Sequence, residues 1–137
     1  MNVSKSNQAQ PGEGNMRATE PVSEFGCGRF IDLNAEIDRL QADSSIKEES
    51  GHRTKMLLKN PEFRIVLICM RASSRWDDHQ TKARIFVKVL RGRIRFHTPD
   101  GTVDLSPDQL FVLDPGIVHS VDALDESAFL LTLSDPK

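Results

Sequence analysis

The sequence predicts an all-β protein, a closed barrel or sandwich of short strands preceded by one short helix. Three observations predict it. From residue 53 onward, apolar and polar residues alternate with a period of two, in eight short runs. Turn-forming residues separate those runs at close spacing. Only residues 30–43 repeat their apolar side chains at helical spacing.

Size and composition agree with a globular chain. Its 137 residues suit one domain and suffice to bury about two-thirds of the surface an unfolded chain exposes. Apolar residues make up 38% and charged residues 28%, the ordinary balance of a soluble protein. A net charge of −2 gives no bulk attraction to nucleic acid or acidic membranes, and no apolar stretch is long enough to span a bilayer. Neither is therefore expected as a partner. The two cysteines, Cys27 and Cys69, make no disulfide framework and lack zinc spacing, so both are expected reduced in a cytoplasmic protein. The polar amino terminus carries no apolar segment of the signal-peptide kind.

Residues 1–28 are rich in Ser, Asn, Gln, Gly, Pro and Glu and are expected to form a flexible tail, because they offer too little apolar surface to offset the entropy of ordering. Residues 29–50 hold the helix and a linker. Leu33, Ile37 and Leu40 mark the apolar stripe, Asp32 or Asn34 can cap the first turn, and Glu36, Arg39 and Asp43 are placed on the exposed side. Residues 51–137 form the barrel domain, with runs at 53–59, 62–71, 81–90, 93–97, 102–105, 109–113, 117–122 and 127–133. Asn60-Pro61, Arg91-Gly92, Thr98-Pro99-Asp100-Gly101, "SPDQ", "DPG" and "DES" separate them. The third of these breaks fits a type I turn, with proline presetting φ and glycine closing it.

Parity then directs the histidines, since side chains alternate across a strand. In the third run the odd positions Ala83, Ile85, Val87 and Val89 are apolar, so His79, also odd, is expected to face inward. His119 alternates with Ile117, Val121 and Ala123 and is expected inward too. His97 is placed outside with Arg93 and Arg95, while His52 heads the even set Thr54, Met56 and Leu58 at the barrel mouth. Lys82, Arg84, Lys88, Arg91, Arg93 and Arg95 make a basic outer face, whose like charges acids on neighbouring strands are expected to relieve. Phe86 within that face points to a dimer contact or to cover by the helix. Trp76 is placed at the rim.

These residues resemble the cupin superfamily over about residues 53–133. The family's first motif is G-x5-H-x-H-x3,4-E-x6-G, and Gly92 matches its closing glycine with His79 on its first histidine. Thr81 then stands at the second histidine and Ile85 at the glutamate. In the second motif, "PGIVH" (residues 115–119) reproduces the proline-glycine-x-x-histidine portion, with Asp108 in place of the glycine and Ala123 in place of the asparagine. The resemblance implies an eight-stranded jelly-roll barrel, a pocket lined by Ile85, Val87 and Val121 around His79 and His119, and a homodimer. Metal-binding cupins use three histidines and a glutamate, and two of those positions here carry no such ligand.

Two readings of the histidine pair stay open. In one, His79 and His119 bind a divalent ion (zinc, nickel, manganese or iron), with Asp77, two residues before His79, as a carboxylate or His52 as a third ligand. In the other, the imidazoles are a hydrogen-bonded pair in a barrel without metal. The expected function is accordingly the binding of a small molecule or metal without established catalysis. The alternative is a metal-dependent cupin enzyme of oxygenase or isomerase type.

Overall fold

The computed structural model describes residues 22–43 and 51–135. The chain divides into two units, Met1–Arg39 and Leu40–Lys137. In the first unit, β1 (Val22–Phe25) pairs antiparallel with β2 (Gly28–Ile31), and α1 (Leu33–Ala42) begins directly afterwards. Of the expected tail, residues 1–21 lie outside the described residues, and Val22–Phe25 is a strand. The linker at 44–50 also lies outside them. The helix starts at Leu33 because Phe30 and Ile31 belong to β2 and Asp32 caps it, its Oδ1 accepting from the Ala35 N–H at 3.2 Å. Glu36 is not on the exposed side as expected. It is buried, because it stands one turn before Leu40 and shares that residue's stripe.

The second unit holds two antiparallel sheets. Their strands are β3 (His52–Lys59), β4 (Phe63–Met70), β5 (Arg75–His79), β6 (Arg84–Arg91), β7 (Ile94–Thr98), β8 (Gly101–Leu105), β9 (Leu110–Leu113), β10 (His119–Ala123) and β11 (Ser127–Ser134). The five-stranded sheet runs β3-β4-β11-β6-β9 and the four-stranded sheet β5-β10-β7-β8. This is a jelly roll, with nine strands where eight were expected. The extra one is β5: "RWDDH" reads in sequence as the lead-in to the third run, but Gln80–Ala83 break it from β6 and it pairs with β10 instead.

Residues facing inward from both sheets fill the space between them. Ile68 and Met70 on β4, Ile85, Val87 and Val89 on β6, and Phe129 on β11 meet Ile94 and Phe96 on β7 and Val121 and Ala123 on β10. The odd-position rule for the third run therefore holds from Ala83 onward. Outside, the basic residues find acids as expected: Arg84 pairs with Asp114, Lys88 with Asp108 at 3.2 Å, and Arg93 and Arg95 both reach Asp104. Gly92 makes the turn between β6 and β7. Its φ is +80°, and a Cβ there would stand 2.2 Å from the Glu126 carbonyl oxygen. Ser127, fully buried, accepts from the Arg93 N–H at 2.9 Å and ties this turn to the start of β11. Among the described residues, no helix is long and apolar enough to cross a membrane.

Candidate functional site

His79 ends β5 and His119 begins β10, and the two residues are register partners. Their ring centroids are 4.1 Å apart, with the planes at 66°. The meeting follows from an irregularity. Between His119 and Val121 the β10 strand advances two residues, while its partners on β5, His79 and Trp76, are three apart. One extra residue on β5 makes a bulge. It puts Trp76 and His79, of opposite parity, on one face, where their rings stack at 5.2 Å.

The bulge also settles where Asp77 goes. Its carboxylate is 92% exposed and sits 3.6 Å from the Arg75 Nε, so it does not face the imidazoles as parity predicts. Asp77 contributes its carbonyl oxygen instead, which accepts from the His79 Nδ1 at 3.0 Å. His119 repeats this arrangement, with its Nδ1 on the Ile117 carbonyl at 2.9 Å. A carbonyl only accepts, so both rings carry their proton on Nδ1 and present Nε2 as a lone pair when neutral. Burial pushes the His119 pKa below the usual imidazole value, and the hydrogen bond to Ile117 opposes that only in part.

The loops beyond the two histidines are joined. The Gly116 N–H donates to the Thr81 carbonyl at 2.8 Å, and the Gln80 side chain donates to the Gly116 carbonyl at 3.1 Å. Thr81 spends its hydroxyl on the Ala83 N–H and so caps the turn into β6. Aromatic rings enclose the pair. Phe96 stacks on His119 at 5.2 Å, and His52 stacks on the far side of Trp76 at 4.7 Å. His52 thus stacks on Trp76, not on either member of the pair, and its buried Nδ1 has no hydrogen-bond partner.

Ile85, Val87 and Val121 do not line an open pocket, because they are buried in the packed core. Access comes from the rim. A cavity of about 270 Å³ reaches His119 between Arg75, Asp78, His97, Pro99, Val118 and Ser120. Two larger cavities, of about 340 and 360 Å³, lie elsewhere and touch neither member of the pair; size alone does not make either the site. Beside the rim cavity, Arg75 donates to Asp122 and to Ser120, both at 3.0 Å, and His97 donates through Nε2 to Asp122 at 2.7 Å. Burial works against ionising Asp122, but the hydrogen bonds from His97 and Arg75 outweigh it and hold the carboxyl below its usual range.

The donor set can be tested against a metal. Two neutral Nε2 atoms, each fixed by a hydrogen bond on the other ring nitrogen, are the right chemistry for a divalent transition ion. Their number is not. Among the described residues no three His, Cys, Asp or Glu side chains converge, whereas catalytic zinc sites use about three protein ligands. The pair does not fit a resident metal.

No protein-family model matches the chain. No curated protein matches it either. Solved structures do. The chain is similar to KdgF from Halomonas sp. at 20% identity and a TM-score of 0.61, covering 66% of this chain and 86% of that one. A cupin superfamily protein from Desulfitobacterium hafniense gives 13% identity and a TM-score of 0.61, covering 66% and 83%. Oxalate decarboxylase from Bacillus subtilis, a protein with Mn(II) centres, gives 22% and 0.57, covering 66% of this chain and 26% of that one. At these identities the likeness is one of fold.

Proposed function

We propose that this cupin barrel is a cytoplasmic binding protein that takes up a small polar molecule at the rim cavity and holds it against the His79–His119 pair without catalysis. The observation that carries this reading is the hydrogen-bonding state of the pair. Each imidazole is pinned through Nδ1 to a carbonyl of its own chain segment, so each offers Nε2 as an acceptor in a half-buried or buried setting. His119 shares the rim cavity with the Arg75 guanidinium, and this lining suits a ligand that brings both a hydrogen-bond donor and a negative or polar end. Asp77, the carboxylate that the sequence places with the pair, turns outward and is not available to them as a general acid or base. The free, unpaired state of Cys27 and Cys69 supports a reducing compartment.

A divalent ion on the same two nitrogens would be held weakly, with most of its coordination shell supplied by water. The metal-dependent alternative, an oxygenase or isomerase, is supported by the likeness of fold to a protein with Mn(II) centres and by the two available Nε2 atoms. Elemental analysis of the purified protein separates the two readings. The binding reading expects metal well below one ion per chain and no change in melting temperature with chelator. It further expects that hits from a ligand-observed NMR screen of small polar acids and alcohols are lost in His119→Ala. Stoichiometric metal that disappears in both His79→Ala and His119→Ala would overturn it in favour of the enzyme.

A further inference from the structure

The five-stranded sheet carries a polar cavity that does not touch the histidine pair. It encloses about 340 Å³ and is lined by Gln41, Arg53, Cys69, Met70, Arg71 and Glu126, all within the second unit. The register of the sheet builds it. Cys69 is the partner of Arg53 on β3 and of Ala128 on β11, and Ala128 is in turn the partner of Arg91 on β6. Direct partners point to the same face. Cys69 alternates with the core residues Ile68 and Met70, so this row looks away from the barrel interior. A short thiol and a methyl group thus lie between two long cations, and the difference in length leaves room above Cys69.

Two groups of opposite charge meet this cavity without a partner. Arg53 is held in place, since its Nη1 donates to the carbonyls of Leu40, Gln41 and Asp43 at 3.0, 3.1 and 3.1 Å. Its Nε is buried and has no hydrogen-bond partner, a state that folded chains rarely leave unanswered. Glu126 is exposed, and its carboxylate makes no hydrogen bond or ion pair with any described residue. Arg71 adds a second guanidinium to the lining. Beyond its own desolvation, the Cys69 thiol feels the charges of Arg91, Glu126 and Arg53 together, so these groups converge on one spot.

We propose that this cavity binds a free α-amino acid with an uncharged side chain. Its carboxylate lies on Arg53 and Arg71, its ammonium on Glu126, and its side chain against Cys69 and Met70. A simple anion would use the guanidinium groups but face Glu126 with a like charge, and a simple cation would meet the reverse. A zwitterion answers both signs. The Nε edge of a guanidinium is one that a carboxylate bridges with two hydrogen bonds. Because Arg53 is already fixed, little side-chain freedom is lost when it is engaged. The cavity is at the small end of ligand sites, the scale of a single amino acid. The inference stands apart from the histidine pair and from the reading of the rim cavity.

Ligand-observed NMR of the full chain with alanine, valine, leucine and methionine, followed by calorimetry on those that bind, tests this. At least one should bind, and removing either of its charges should weaken it at least tenfold. For leucine the probes are 4-methylpentanoate, which lacks the ammonium, and 3-methylbutylamine, which lacks the carboxylate. Glu126→Gln should leave the melting temperature unchanged, weaken the amino acid at least tenfold and spare the carboxylate analogue. Arg71→Gln should weaken both. A folded His119→Ala should bind as wild type does, which separates this cavity from the rim. The analogue series needs no variant and decides the matter should one fail to fold. Absence of binding by all four amino acids overturns the proposal. So does a deaminated acid that binds as tightly as its parent, or binding indifferent to Glu126→Gln.

Discussion

His119 carries its burial as a pH dependence. The folded chain disfavours its protonated form, while the unfolded chain binds a proton near the ordinary imidazole value of about 6.5. Its contribution to stability is therefore fully present above that value. It is lost as the pH falls from there toward the lower folded pKa, because the unfolded state takes up the proton first. Melting temperature followed from pH 8 to 5 should fall for wild type more steeply than for His119→Gln, and parallel curves would refute the assignment. That His119 turns inward is legible in the sequence, since its neighbours Val121 and Ala123 alternate with it on an unbroken strand. The fixed proton on its Nδ1 is not legible, because it depends on where the Ile117 carbonyl points, a backbone detail that no side-chain pattern encodes.

At the scale of elements, the sequence reads well wherever a strand is continuous and poorly where it breaks. The inward sets of β6, β7 and β10 follow from alternation alone. Parity for His79 has to be counted through residues 80–83, which belong to no strand; it meets His119 from β5 by a different route, and the bulge that brings it there turns Asp77 away. A single extra residue reverses every parity beyond it. The hairpin of β1 and β2 is likewise not legible, because residues 22–25 close a stretch with the composition of a tail while Phe30 and Ile31 read as the start of the helix. The β6–β7 turn, in contrast, is marked by Gly92. In Gly92→Ala the methyl group would meet the Glu126 carbonyl, and the left-handed backbone itself costs an ordinary residue about 1–2 kcal/mol. Urea denaturation of this variant should show a loss of at least about 2 kcal/mol, with Ser127 no longer well placed to cap Arg93.

For the whole molecule, the two thiols report opposite extremes of accessibility. Cys27 is exposed, while Cys69 is buried on β4 and its pKa is pushed up to about 11, chiefly by desolvation. A thiol-reactive reagent at neutral pH should thus label one site per native chain, and two in denaturant. Because β4 is hydrogen-bonded on both sides, by β3 and β11, Cys69 should react only when the five-stranded sheet opens, at a rate that tracks global unfolding. Two sites labelled rapidly in the native state would show that the sheet opens locally.

The stacking of Trp76 between His52 and His79 has an optical consequence. The chain contains one tryptophan and no tyrosine, so its near-ultraviolet emission originates at the histidine site itself. A guest that shifts either stacked ring changes the surroundings of that indole and so its emission. The barrel carries its own intrinsic dye, positioned where occupancy would be felt first.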